Sequence, residues 1–348
     1  MPSPTRTALA SVALYGGIAL LFCAPLFESP HGLGGFDWDQ HLFYYGSVLK
    51  SVVEYGAAPF WNPWYCGGNV LWQNPQSALL SPVYPLAMLT SVSLAMKINI
   101  FLHYWVGLVG MHLLLRRAIG VSSRPVVAYL ACVFALSGAH ALHLRMGHST
   151  FLPAFYLPLQ LYYTMRAVHT GAVQPALKAG GVLALVVYNG GVIIAAMSIV
   201  AVGGFALLAS VGSRRWRPVA VAVVLVAAGL AYAAPKVVPV ARFVTSERFF
   251  DTRGGMDRAE RQSAEMMLHA YVDRDQQHGS KFDDQLHGWH EYGNYTGAPF
   301  ALLFLASLAW IVLPVDTDRR WLGVSLAGTA VLLLSVSAGE FAPFAPLS

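Results

Sequence analysis

Long apolar runs, each close to the length of one bilayer crossing, follow one another through this chain, and its charged residues fall almost wholly between them. A crossing helix needs about 20 predominantly apolar residues. The chain supplies roughly nine such runs within its 348 residues. Hydrophobic residues make up 56% and charged residues 11%, and the mean hydropathy is +0.53. Soluble domains sit near roughly 45–50% apolar and 25% charged. The expected fold is therefore an all-α integral membrane protein, a single polytopic domain over 1–348, lodged in the cell (inner) membrane.

Charge orders the runs. Arg6 precedes a run at 8–27 that has no small-x-small cleavage site after it, so it is expected as an uncleaved first span with a cytoplasmic N-terminus. Residues 28–76 then form a first outer loop. The segment 77–96 holds Pro82 and Pro85 among polar residues and is placed at the interface, because proline removes backbone donors that lipid cannot replace. Spans are expected at 98–115, 125–142 and 150–166, with Arg116, Arg117, Arg124 and Arg166 inside. The run 179–211 is too long for one helix. It is expected as a pair broken outward at Tyr188-Asn189-Gly190-Gly191, a break of the kind that lines a cavity. A span at 218–241 leads to a long second outer loop at 244–297, and spans at 298–314 and 321–338 complete nine crossings. On this topology 15 of the 17 acidic residues are outside while 11 of the 22 basic residues sit in short inner segments, an asymmetry that supports the orientation. The formal charge of +5 then reflects helix orientation, and no nucleic-acid partner is expected. Cys23, Cys66 and Cys132 lack metal-type spacing, and neither a disulfide nor a thiolate metal site is expected.

Candidate chemistry lies outside. Asp37 and Asp39 flank Trp38, just before a segment whose Leu42, Tyr45, Leu49, Val52 and Val53 share one helical face, as in a helix lying on the membrane. Either carboxylate could merely cap that helix, or act as general base or hold a divalent cation (Mg or Mn) beside a phosphate leaving group. His140, His143 and His148 surround Arg145 at the outer end of a span. Their spacing is not a known zinc pattern, whereas His143, Arg145 and His148 suit contact with a phosphate or sugar as well as a solvated loop. Lys236 and Arg242 could snorkel to headgroups or bind a donor phosphate. In the second outer loop, carboxylates and aromatics mix as at sugar sites, with Glu291 and Tyr295 closest to the membrane.

The sequence Pro59-Phe60-Trp61-Asn62-Pro63, then Gly67-Gly68-Asn69, about twenty residues after Asp37-Trp38-Asp39-Gln40, makes a more specific pattern. Asn74-Pro75-Gln76, Leu114-Leu115-Arg116-Arg117, Leu136-Ser137-Gly138 and Glu291-Tyr292-Gly293-Asn294-Tyr295-Thr296-Gly297 follow in order. Together these resemble the YfhO-like family of the GT-C superfamily of membrane glycosyltransferases. The resemblance implies a GT-C-like fold with interfacial helices in the first outer loop, a polyprenyl-phosphate sugar donor and a lipid or glycan acceptor on the outer face. It puts the catalytic acid at Asp37 or Asp39, with substrate contacts from Gln40, Trp61, Asn62, Asn69 and Gln76. Members of that family are longer, and a C-terminal truncation is expected here. Two other classes stay open. A transporter or flippase of a lipid-linked substrate would place ionisable residues mid-span, where this sequence has almost none. A non-catalytic assembly subunit would need neither aspartate.

Overall fold

The structure, a computed structural model, describes residues 4–29, 32–65, 67–246, 295 and 317–337. It is mostly helical. Four helical segments are long and apolar enough to cross a membrane, Leu9–Phe27, Val92–Ile119, Arg124–Met146 and Val192–Ser213, and a bent pair over Arg217–Val244 makes a fifth if counted as one span. The chain is a multi-pass membrane protein. Glu291 and the spans expected at 298–314, with most of the second outer loop, lie outside the described residues.

Helix α1 (Pro4–Cys23) runs into a 3-10 turn at Ala24–Phe27. After the amphipathic α2 (Trp38–Val53), a two-stranded ribbon pairs Trp61 with Val70 and Asn62 with Asn69. Residues 77–91 do not cross the bilayer: they form turns and the five-residue α3 (Pro85–Leu89). Helix α4 (Val92–Leu113) begins six residues before the expected 98, because the Ser91 hydroxyl caps it by accepting from the Leu94 N–H at 3.2 Å. It ends in a π-helical turn (Leu114–Ile119) closed by Gly120 in the left-handed region. The next span breaks at Leu136–Ser137 into α5 (Arg124–Ala135) and α6 (Gly138–Met146).

Expected span 150–166 instead opens as a 3-10 segment (Ser149–Tyr156) through Pro153 and turns α-helical only in α7 (Leu157–Thr170). Prolines 153 and 158 lack the donors an α-helix would need there. Helices α7 and α8 (Val173–Tyr188), with 14 and 16 residues, fall short of the usual crossing length. The break before α9 (Val192–Ser213) falls at Asn189–Gly191, as expected. Helix α10 (Arg217–Tyr232) bends by 84° into α11 (Ala234–Val244), and α12 (Thr317–Ser337) packs on α9.

Small residues set the packing. A Cβ on Gly180 of α8 would sit 2.8 Å from the Leu225 carbonyl of α10, and one on Gly229 would sit 2.6 Å from Leu183, so the two backbones approach closely. Helix α1 is pinned to α4 by Tyr15 Oη to His112 Nδ1 (2.9 Å) and by Trp105 Nε1 donating to the Val12 carbonyl (3.0 Å). The bundle has two unlike ends. One gathers α2, the ribbon, the α6–Ser149 turn, the α8–α9 break and α11. The other carries Arg116, Arg117, Arg166, Arg214, Arg215 and Arg217, at the far ends of α4, α7, α9 and α10.

Candidate functional site

The first outer loop is fastened to the end of α6. Gly147 terminates α6 in the left-handed region, leaving carbonyls without helical partners. The Asp37 N–H donates to the Met146 carbonyl at 3.1 Å, and the buried Trp38 indole donates to the Leu144 carbonyl at 2.8 Å. A Cβ on Gly147 would lie 2.7 Å from the Asp37 carbonyl carbon, so glycine is required for this approach as well as for its φ of +82°.

This docking sets the Asp37 carboxylate 3.6 Å from His148 Nε2, an ion-pair distance and longer than a hydrogen bond. His148 Nδ1 lies 2.8 Å from His143 Nδ1, and His143 stacks on Phe151 with 4.0 Å between centroids. When His148 carries its proton on Nε2, toward Asp37, its Nδ1 accepts from His143 Nδ1–H. That is the neutral assignment that orients the pair toward the carboxylate. The Asp37 side chain is 53% exposed and His148 19%, so the carboxylate faces solvent while the imidazole behind it is sheltered.

Asp37 does not cap α2. It precedes the helix with φ −69° and ψ −8°, and its side chain makes no capping bond. Below it lies His41, one helical turn on, 5% exposed. Burial pushes the His41 imidazole down to about 4, against the pull of Asp37 and with the push of His148. It is neutral at ordinary pH. A crevice of about 10 Å³, the room of a single water, separates His41 and Tyr44 from Gln76 and Ser77.

The other expected residues divide. Asp39 is exposed in the first turn of α2, two residues from Asp37, and Gln40 donates to Tyr44 Oη at 2.7 Å. Trp61, Asn62 and Asn69 belong to the ribbon. Asn62 is buried, its Oδ1 accepts from the Trp64 N–H at 3.0 Å, and the Gly67-Gly68 pair takes the positive φ values the turn demands. Gln76 is exposed, and its carbonyl lies against Gly190, so this loop packs directly on the α8–α9 break. Arg145 and Arg242 are exposed. Tyr295 accepts through its carbonyl from the Gly138 N–H at 3.4 Å, at the opposite end of α6 from Asp37, roughly 13 Å along the helix axis.

Two expectations need correction. Lys236 is fully buried and donates to the carbonyls of Trp72 (2.9 Å) and Asn74 (2.7 Å), so it neither snorkels to headgroups nor faces a ligand. Helix α2 buries Trp38, His41, Tyr44, Tyr45, Val48 and Ser51; of its expected apolar face Tyr45 is thus buried, Leu42 packs in part against the core, and Val53 is 63% exposed. His140 does not join His143 and His148: it stacks on Phe155 at 4.2 Å. Among the described residues no three His, Cys, Asp or Glu side chains are grouped to hold a metal ion.

Sequence reasoning missed His41, although its spacing four residues after Asp37 put both on one helical face. It also missed the polar interior of α4, where Lys97 and His103 are buried, with His103 Nδ1 2.7 Å from the Asn99 carbonyl. Against protein-family models, curated proteins and solved structures alike, the chain matches nothing.

Proposed function

We propose that this protein is a GT-C-type membrane glycosyltransferase of nine crossings that moves a sugar from a polyprenyl-phosphate donor to an acceptor at the loop end of the bundle. The observation that carries the reading is Asp37: a carboxylate released from capping, open to solvent, and backed by the His148–His143 pair. Such a carboxylate suits a general base. It would take the proton of an acceptor hydroxyl as that oxygen bonds to the anomeric carbon. The bond from that carbon to the phosphate oxygen would break on the opposite side, with inversion, and the lipid phosphate would leave with the electron pair. The exposed guanidinium groups of Arg145 and Arg242 would steady the departing phosphate. The His pair would hold Asp37 in place. Charge supports an outward-facing site, because the opposite end carries the arginines, which belong on the cytoplasmic side.

Loss of a general base lowers rate by about 10²–10⁴-fold. Asp37→Asn should do so in a sugar-transfer assay with membranes and a polyprenyl-phosphate sugar, His148→Gln should reduce transfer less, and Asp39→Asn should be mild. Unchanged transfer with both aspartates replaced would sink the enzyme reading and leave the assembly-subunit one.

One observation favours translocation as a second reading. Lys97, His103, Gln160 and Ser198 are polar and buried within the bundle, and Ser198 Oγ donates to Gln160 Oε1 at 2.7 Å. A transporter would need these groups, so His103→Leu should abolish movement of a fluorescent polyprenyl phosphate across vesicles if that reading holds, and leave sugar transfer intact if it does not.

A further inference from the structure

The arginine end of the bundle contains a groove of about 530 Å³ between the start of α8, the end of α9 and the start of α10. Its floor is apolar: Val173 and Ala176 of α8 face Ala220, Val221 and Val224 of α10, which follow one another along the helix axis. Its mouth is cationic. Arg214, Arg215 and Arg217 surround it, with Trp216 79% exposed beside them, and among the described residues none lining it is acidic. Neither of the two ion pairs among the described residues involves these arginines.

Two details show that the mouth is shaped. Arg214 closes α9 in the left-handed region at φ +52°, unusual for a residue with a side chain, and this turn brings three basic residues together within four positions. The Arg217 guanidinium occupies the space beside Gly171, where any Cβ would collide with it, so Gly171 leaves the room that Arg217 fills. The first turns of α8 and α10, each 16 residues long, also end here and add the positive ends of their dipoles.

We propose that this groove binds an anionic phospholipid of the leaflet at the arginine end, its phosphate between the three arginines and the beginning of one acyl chain on the Ala176–Val224 floor. Charge complementarity selects the lipid: zwitterionic head groups would bring an ammonium into a cluster of guanidinium groups. The apolar floor selects a lipid over a free phosphate, and an exposed tryptophan beside basic residues is the pattern of a membrane–water boundary. The site stands on residues distant from Asp37 and does not depend on the reading of that end.

Native mass spectrometry of the full chain in detergent tests it, with dioleoyl phosphatidylglycerol, dioleoyl phosphatidylcholine and glycerol 3-phosphate as probes. Phosphatidylglycerol should be retained about tenfold better than phosphatidylcholine, a difference of about 1.4 kcal/mol in binding free energy. Replacement of Arg214, Arg215 and Arg217 by Gln should remove that preference, and replacement by Lys should largely keep it. Ala220→Phe, which keeps every charge and fills the floor, should weaken phosphatidylglycerol retention, and glycerol 3-phosphate should fail to displace the lipid. Equal retention of the two lipids, full retention in the Gln variant or in Ala220→Phe, or displacement by glycerol 3-phosphate would each overturn the proposal.

Discussion

An aspartate ahead of a helix ordinarily bends back over the first free N–H groups, which requires an extended backbone at that residue. At Asp37 the backbone is already helical, and the reversal happens one residue earlier, at Phe36, whose φ is +60°. That displacement by one position turns a capping residue into a solvent-facing acid beside His148. His41 beneath it supplies a pH test. Its folded value of about 4 lies below the ordinary 6.5, so the fold favours the neutral ring. Its stability contribution is complete above pH ~6.5 and is lost as pH falls toward ~4, up to about 3 kcal/mol. Unfolding midpoints of wild type and His41→Gln in detergent should therefore converge across that window, and parallel curves would show that His41 does not titrate this way. The aspartates and His143 and His148 were legible in the sequence because they stand at element ends. His41 was not: its spacing from Asp37 was in the sequence, but one imidazole within an aromatic helix gains meaning only once its neighbours across the chain are known.

At the level of elements, backbone approach between α8 and α10 rests on Gly180 and Gly229. Gly229→Val should lower the detergent unfolding free energy by about 1–3 kcal/mol, as overpacking does, with the loss visible in the thermal midpoint. A midpoint equal to wild type would mean that the helices part at no cost. Apolar runs and positive clusters located most helices, and Asn189-Gly190-Gly191 located the α8–α9 break. The bend at Ala233 escaped because apolar residues continue through it. Its local sign was Pro235 in the first turn of α11. The 3-10 stretch before α7 likewise traces to Pro153, which a count of apolar residues does not register. The face α2 packs inward was not legible for a different reason: with Trp38, His41, Tyr44 and Ser51 it is aromatic and polar, and hydropathy does not mark it.

For the whole molecule, the segregation of arginines at one end and the aspartate–imidazole site at the other predicts orientation. In a background with Cys23, Cys66 and Cys132 replaced by Ser, a membrane-impermeant maleimide applied to intact cells should label Ala57→Cys and spare Ser122→Cys; the reverse pattern would invert the topology. The contacts that hold the loop also impose an order of assembly. Trp38 waits for Leu144, 106 residues later, and the carbonyls of Trp72 and Asn74 wait for Lys236, more than 160 residues later. A ribosome therefore releases the first outer loop long before its anchors exist. Such non-local contacts form late because the chain between them must first be ordered. Synthesis intermediates stopped before α6 should present this loop to proteases, those stopped after α6 should protect its beginning, and only chains that have reached α11 should protect it throughout.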